Sequence, residues 1–231
     1  MKKLLICLLA ALTFAACSDD DNDVNLTPTA TGTVTDNEGN EYAWVRIGGL
    51  DWTTSNAKNG PFIYDEQYYN TDYGWDEYVE FDADPDEYYA TYGNLLSYEE
   101  AIASAPEGWR LPTDEDWKRL ERALGMSASD ADREGWRGDI AADLLRRDGD
   151  PGIALLFGGS VLYSGEAYGI GCLLKYDGES AYYWTSTMDE SETEYQMAYF
   201  RKLTAGQRGV ERQHGDITYK WMSVRWVRDA Q

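Results

Sequence analysis

The chain has 231 residues, with 42 acidic and 20 basic side chains, a net charge of −22, a 43% apolar fraction and 14% aromatics. So strong a negative charge repels nucleic acid and anionic lipid headgroups, which excludes both as favoured partners. One histidine and three cysteines leave no Cys/His cluster for zinc, and neither a phosphate-cradling glycine loop with its lysine nor a dinucleotide fingerprint occurs.

Met1-Lys2-Lys3 precedes an apolar run from Leu4 to Ala16. The run is too short for a stable membrane span and suits an export signal. Phe14-Ala15-Ala16-Cys17 resembles the lipobox of bacterial lipoproteins. In that family the signal is cut before the cysteine, whose sulfur and new amino group are acylated. The resemblance implies a signal peptide over residues 1–16, lipidation at Cys17, and a chain held at the outer membrane by lipid alone. Ser18-Asp19-Asp20-Asp21 resembles the surface-export signal of Bacteroidetes lipoproteins, which implies exposure at the cell surface. The competing reading is an ordinary cleaved signal with a chance cysteine. Residues 17–31 are polar and acidic, contain Pro28, and read as a flexible tether. Residues 32–231 are enough for one domain with a real core. Cys7 falls in the proposed signal and Cys17 is the proposed lipid site, so Cys172 would have no disulfide partner and reads as a small buried apolar side chain.

Asp36-Asn37-Glu38-Gly39-Asn40 predicts a turn, followed by a strand through Tyr42, Trp44, Arg46 and Ile47. A second turn at Gly48-Gly49 leads into a short strand at Trp52. Residues 59–109 hold no Lys or Arg, and from Phe62 to Tyr92 aromatics alternate irregularly with acids. The spacing predicts a long ordered loop region whose rings either pack on the domain or are displayed. Ser97-Tyr98-Glu99-Glu100 fits a capping box and predicts a helix to about Ala105, before Pro106. Thr113 opens a second helix, with Asp114, Glu115 and Asp116 at its positive end. Trp117, Leu120 and Leu124 share its buried face, and Gly125 ends it. Ser129 predicts a third helix, carrying Trp136, Ile140 and Leu144 as far as Gly149. After Pro151 the texture turns to β. Ile153–Phe157 is a short apolar run. Strands are predicted at Val161–Tyr163, Tyr182–Thr185, Tyr195–Leu203 and Ser223–Val227. Strands, then helices, then several strands predict an α+β fold with an antiparallel sheet and two to three helices.

Five segments together resemble the Fibrobacter succinogenes major paralogous domain. They are Asp36–Tyr42 with Val45–Gly48, Gly108–Trp117, Tyr183–Thr187, Ala198–Leu203 and Ser223–Asp229. That family is grouped with C-type-lectin-like folds. The resemblance implies a compact domain whose first and last strands pair, with two helices and a long loop region. It carries no settled activity. The related formylglycine-generating enzymes use paired cysteines, which this chain lacks once Cys17 is acylated. Apart from the resemblance, Trp109, Trp117 and Trp184 read as core anchors. Thr185, Ser186 and Thr187 read as strand-end residues. Arg225 reads as an internal ion-pairing group, with anion recognition as the alternative.

Catalytic chemistry has thin support. His214 sits in Arg212-Gln213-His214-Gly215-Asp216, which reads as a turn between strands, with no partnered nucleophile in view. Glycosidase carboxylates cannot be selected among 42 acids. Asp82, Asp84 and Asp86 place oxygens at alternate positions, as calcium prefers. The stretch departs from an EF-hand, with Glu87 at the sixth position and Gly93 at the twelfth, so a solvated acidic loop competes with calcium. The aromatic-acidic stretch is the expected contact surface. Tyr73, Trp75, Tyr88 and Tyr89 could stack on sugar faces while carboxylates accept hydroxyl hydrogen bonds. The expected protein is a non-enzymatic surface lipoprotein that binds a glycan or extracellular protein in adhesion or nutrient capture. It needs no cofactor, calcium excepted. The alternative is an envelope assembly component that recognises another protein.

Overall fold

The computed structural model describes residues 26–60, 78–80, 84–147, 149–164, 171–191, 194–218 and 220–231. The proposed signal, Cys17 and most of the tether lie outside the described residues. Among these residues the fold is α+β with mostly antiparallel sheets and five helices.

The first sheet holds β1 (Thr31–Thr35), β2 (Glu41–Ile47), β3 (Leu50–Thr53) and the last strand, β13 (Val227–Asp229). Its order is β1-β2-β3-β13, so the two ends of the domain share a sheet although β1 and β13 do not pair directly. The turn between β1 and β2 forms because Asp36 collects four donors. Its carboxylate accepts from Glu38 N at 3.0 Å, Asn40 N at 2.9 Å, Asn40 Nδ2 at 3.0 Å and the Tyr42 hydroxyl at 2.6 Å. Gly39 closes it at φ 89°.

The second sheet runs through β4 (Tyr78–Glu80), β8 (Gly171–Asp177), β7 (Gly158–Ser164), β9 (Ser180–Met188), β10 (Met197–Thr204), β11 (Val210–Asp216) and β6 (Gly135–Arg137). Off this path, β12 (Lys220–Met222) pairs with β7 and with β5 (Leu96–Ser97). Period-2 alternation along β9 and β10 divides the interior. Tyr183 and Leu203 join Trp52, Trp117, Leu120 and Val227 on one face. Trp184 and Phe200 join Trp44, Trp109, Met222 and Trp226 on the other.

The helices are α1 (Pro85–Tyr92), α2 (Tyr98–Ala103), α3 (Asp114–Ala123), α4 (Ala128–Asp132) and α5 (Ala141–Leu145). Ser97 and Thr113 each form a complete capping box. The Gly108–Trp117 motif is a junction. Arg110 exchanges backbone hydrogen bonds with Val227 at 2.9 and 3.0 Å and pairs its guanidinium with Asp116. The Pro112 carbonyl accepts from Ser186 N at 2.8 Å.

Five expectations are corrected. Among the described residues there are five helices rather than two to three, and the strand predicted at Ser223–Val227 begins only at Val227. The region predicted as loop contains α1, capped by Asp84 with Pro85 in its first turn. The predicted third helix is broken into α4, β6 and α5, because Gly135 and Gly138 take φ of 75° and 67° and the residues between them pair with β11. The short apolar run Ile153–Phe157, for which the sequence predicts no element, is irregular. Ala154 turns it at φ 54°, and the carbonyls of Ile153 and Ala154 accept from Arg225 rather than from a neighbouring strand. His214 lies within β11, paired with Tyr199, and not in a turn.

Candidate functional site

Helix α3 organises one end of the second sheet. Asp114 and Glu121 stand two turns apart on its buried face. Asp114 accepts from Arg201 Nη1 of β10 at 2.7 Å and from Arg212 Nε and Nη2 of β11 at 2.9 and 2.8 Å. Glu121 accepts from Arg201 Nε at 2.6 Å and from Arg137 Nη2 of β6 at 2.8 Å. Burial alone would raise the Asp114 carboxyl, but hydrogen bonds and charge from Arg212 and Arg201 outweigh it and hold Asp114 far below the carboxylate range. Burial pushes Arg137 down to about 10, against the pull of Glu121. Two carboxylates on one helix thus clamp three arginines on three strands and fix β6 against β11.

That clamp shapes an open cleft of about 430 Å³, lined by Arg133, Trp136, Arg137 and Gly138 on one side and Gly206, Gln207, Arg208 and Gly209 on the other. Its size falls among small-molecule pockets, about 300–1,000 Å³. Two short segments of the same form meet there, Gly135-Trp136-Arg137-Gly138 and Gly206-Gln207-Arg208-Gly209. A Cβ on Gly209 would lie 2.8 Å from the Arg137 carbonyl, so only glycine permits this approach. Trp136 is 36% exposed and carries Lys202 Nζ 5.7 Å from its ring. Lys202 bridges to Tyr182, whose ring is also 5.7 Å away. Arg133 is held by Asp130 at 3.0 Å, and Arg208 by a two-pronged contact with Asp139. Arg137 turns its guanidinium inward and contributes the floor of the cleft.

Beside it, the Arg212 guanidinium lies 4.1 Å over the Tyr199 ring, which stacks on His214 at 5.7 Å. His214 Nδ1 contacts the Asp189 carboxylate, and Ser191 Oγ donates to the same carboxylate at 2.7 Å. Asp189 therefore sits between hydroxyl and imidazole. A Ser-His-Asp relay needs the imidazole in the middle.

The expected contact residues fare differently. Tyr73 and Trp75 lie outside the described residues. Tyr88 as a displayed ring is corrected: it is 2% exposed, packs against Tyr92 at 5.0 Å, and donates its hydroxyl to the Gly158 carbonyl. Tyr89 is half-buried and donates to the Lys58 carbonyl at 2.5 Å. Asp82 lies outside the described residues. Asp84 caps α1 by accepting from Glu87 N at 3.1 Å, and Asp86 stands exposed in its first turn. Among the described residues no three His, Cys, Asp or Glu side chains converge as a metal-holding group. Trp109, Trp117 and Trp184 are buried anchors. Arg225 is buried too, and donates to Asn56 Oδ1 at 2.7 Å and to the carbonyls of Thr53 and Ile153 at 2.9 and 2.8 Å. The helical spacing around Trp136 hides this cleft in the sequence. The paired glycine-bracketed arginines are the signal that could have found it.

The fold defines a small α+β domain closed by its last strand. Residues 45–228 match the Fibrobacter succinogenes major domain, and the chain belongs to that family. No curated protein and no solved structure matches the chain.

Proposed function

We propose that this protein is a surface-exposed outer-membrane lipoprotein, acylated at Cys17, whose C-type-lectin-like domain binds a glycan without transforming it. The observation that carries the reading is the open cleft with the exposed Trp136 indole on its rim and guanidiniums beside it. An indole offers a flat face to sugar C–H groups, and planar arginine donors suit sugar oxygens. One ring contact is worth about 1 kcal/mol and millimolar affinity needs about 4 kcal/mol, so the ring and several hydrogen bonds must act together. Return of the last strand to the N-terminal sheet supports the lectin-like comparison.

The test is a glycan array probed with the full chain in detergent, with and without calcium. Trp136→Ala should abolish the signal and shift Tm by less than about 3 °C, as expected for a half-exposed ring. Binding that survives Trp136→Ala places the contact elsewhere. An empty array, with co-purification of an envelope protein, favours an assembly role. Radiolabelled palmitate should enter the wild-type chain and not Cys17→Ala.

A further inference from the structure

The chemistry of the cleft also selects a class of glycan, a choice that rests on the glycan-binding function proposed above. Among the described residues the cleft lining contains no carboxylate and three arginines, of which Arg137 is turned inward onto Glu121, in a chain whose acids outnumber its bases by 42 to 20. Arg208 and Arg133 have side chains 82% and 58% exposed, and their partners Asp139 and Asp130 stand at the surface. Exposed ion pairs of this kind contribute little to stability and exchange readily for another anion. Lys202, mostly buried and paired with Glu211 at 3.5 Å, adds a third cation over the Trp136 ring. Cationic groups around one exposed indole match a sugar ring that carries a negative substituent. The molecule's own field opposes a long polyanion, so the fit is to a single charged residue on an otherwise neutral glycan.

We propose that the cleft recognises the anionic group of one acidic sugar, a carboxylate or a sulfate ester, with Arg208 and Arg133 on the charge and Trp136 against the ring.

The full chain in detergent is titrated with lactose, 3′-sialyllactose and 3′-sulfolactose. At least one charged sugar should bind about tenfold more tightly than lactose. The preference should shrink as salt rises from about 0.05 to 0.5 M. Whichever charged sugar binds identifies carboxylate or sulfate. Arg208→Gln should weaken the charged ligand. Asp139→Asn releases the Arg208 fork and should tighten it about threefold. A purely structural pair would lower affinity in both variants, which would overturn the proposal. Equal binding of neutral and charged sugars, lost in Trp136→Ala, overturns the charge preference and leaves glycan binding standing. Binding of none overturns both. Tetraglutamate binding as tightly as the charged sugars, independently of Trp136, overturns the saccharide part.

Discussion

Asp114 is the most heavily engaged carboxylate described, with Arg201, Arg212 and Lys118 all within 3.4 Å. Removing one partner of a buried ionic cluster leaves charge uncompensated, at a cost of about 3–5 kcal/mol. Asp114→Asn should lower the urea midpoint accordingly. Asp36, Asp51, Asp114 and Asp116 are all held below the ordinary carboxylate value. In each, burial acts upward and is outweighed by hydrogen bonds and, except at Asp36, by arginine charge. With the folded pKa depressed, the unfolded chain takes up protons first as pH falls. The stability these groups contribute is complete above about pH 4 and drains away below it. Tm should change little between pH 7 and 5, then fall steeply, and Asp114→Asn should show a shallower acid slope. Identical acid slopes would refute this account. The partnership itself is not legible in the sequence, since Asp114 reads there as a helix-dipole residue and its arginines lie 87 and 98 positions away.

Local chemistry explains which elements could be read. Ser97 and Thr113 announce their helices because a cap and its third-position acid are neighbours in the chain. Thr113→Ala should cost about 1 kcal/mol, visible as a shift in the denaturation midpoint. Asp84-Pro85 gives an equally local signal for α1, and the irregular aromatics around it mask that signal. The segment from Ser129 to Gly149 misleads in the other direction: Ile140 and Leu144 are indeed buried, but strand pairing with β11 overrides helical spacing at Trp136. Gly209→Ala tests that pairing, since the added methyl meets backbone and not a flexible side chain. The substitution should destabilise by about 1–3 kcal/mol and impair binding at the cleft together with the fold.

For the molecule as a whole, the C-terminal segment is the closing element. Val224, Trp226 and Val227 enter the two cores, and Arg225 joins Asn56 and Thr53 to the turn at Ile153 and Ala154. Ending the chain after Met222 should abolish cooperative unfolding in calorimetry, because both cores and the β3 edge lose their cover at once. The α+β class is legible from the order of elements. The second sheet's path is not, since pairing between β6 and β11 or between β5 and β12 joins residues far apart in the chain. The first sheet also has a mechanical meaning. Among the described residues, strand β1 bonds only to β2, whereas β13 is bonded to β3 deeper in the same sheet. For a domain tethered through its N-terminal segment, drag from outside reaches β1 before any other strand. Under the proposed N-terminal tether that hairpin arm would be the first strand to bear a pull, with β2, β3 and β13 joined behind it.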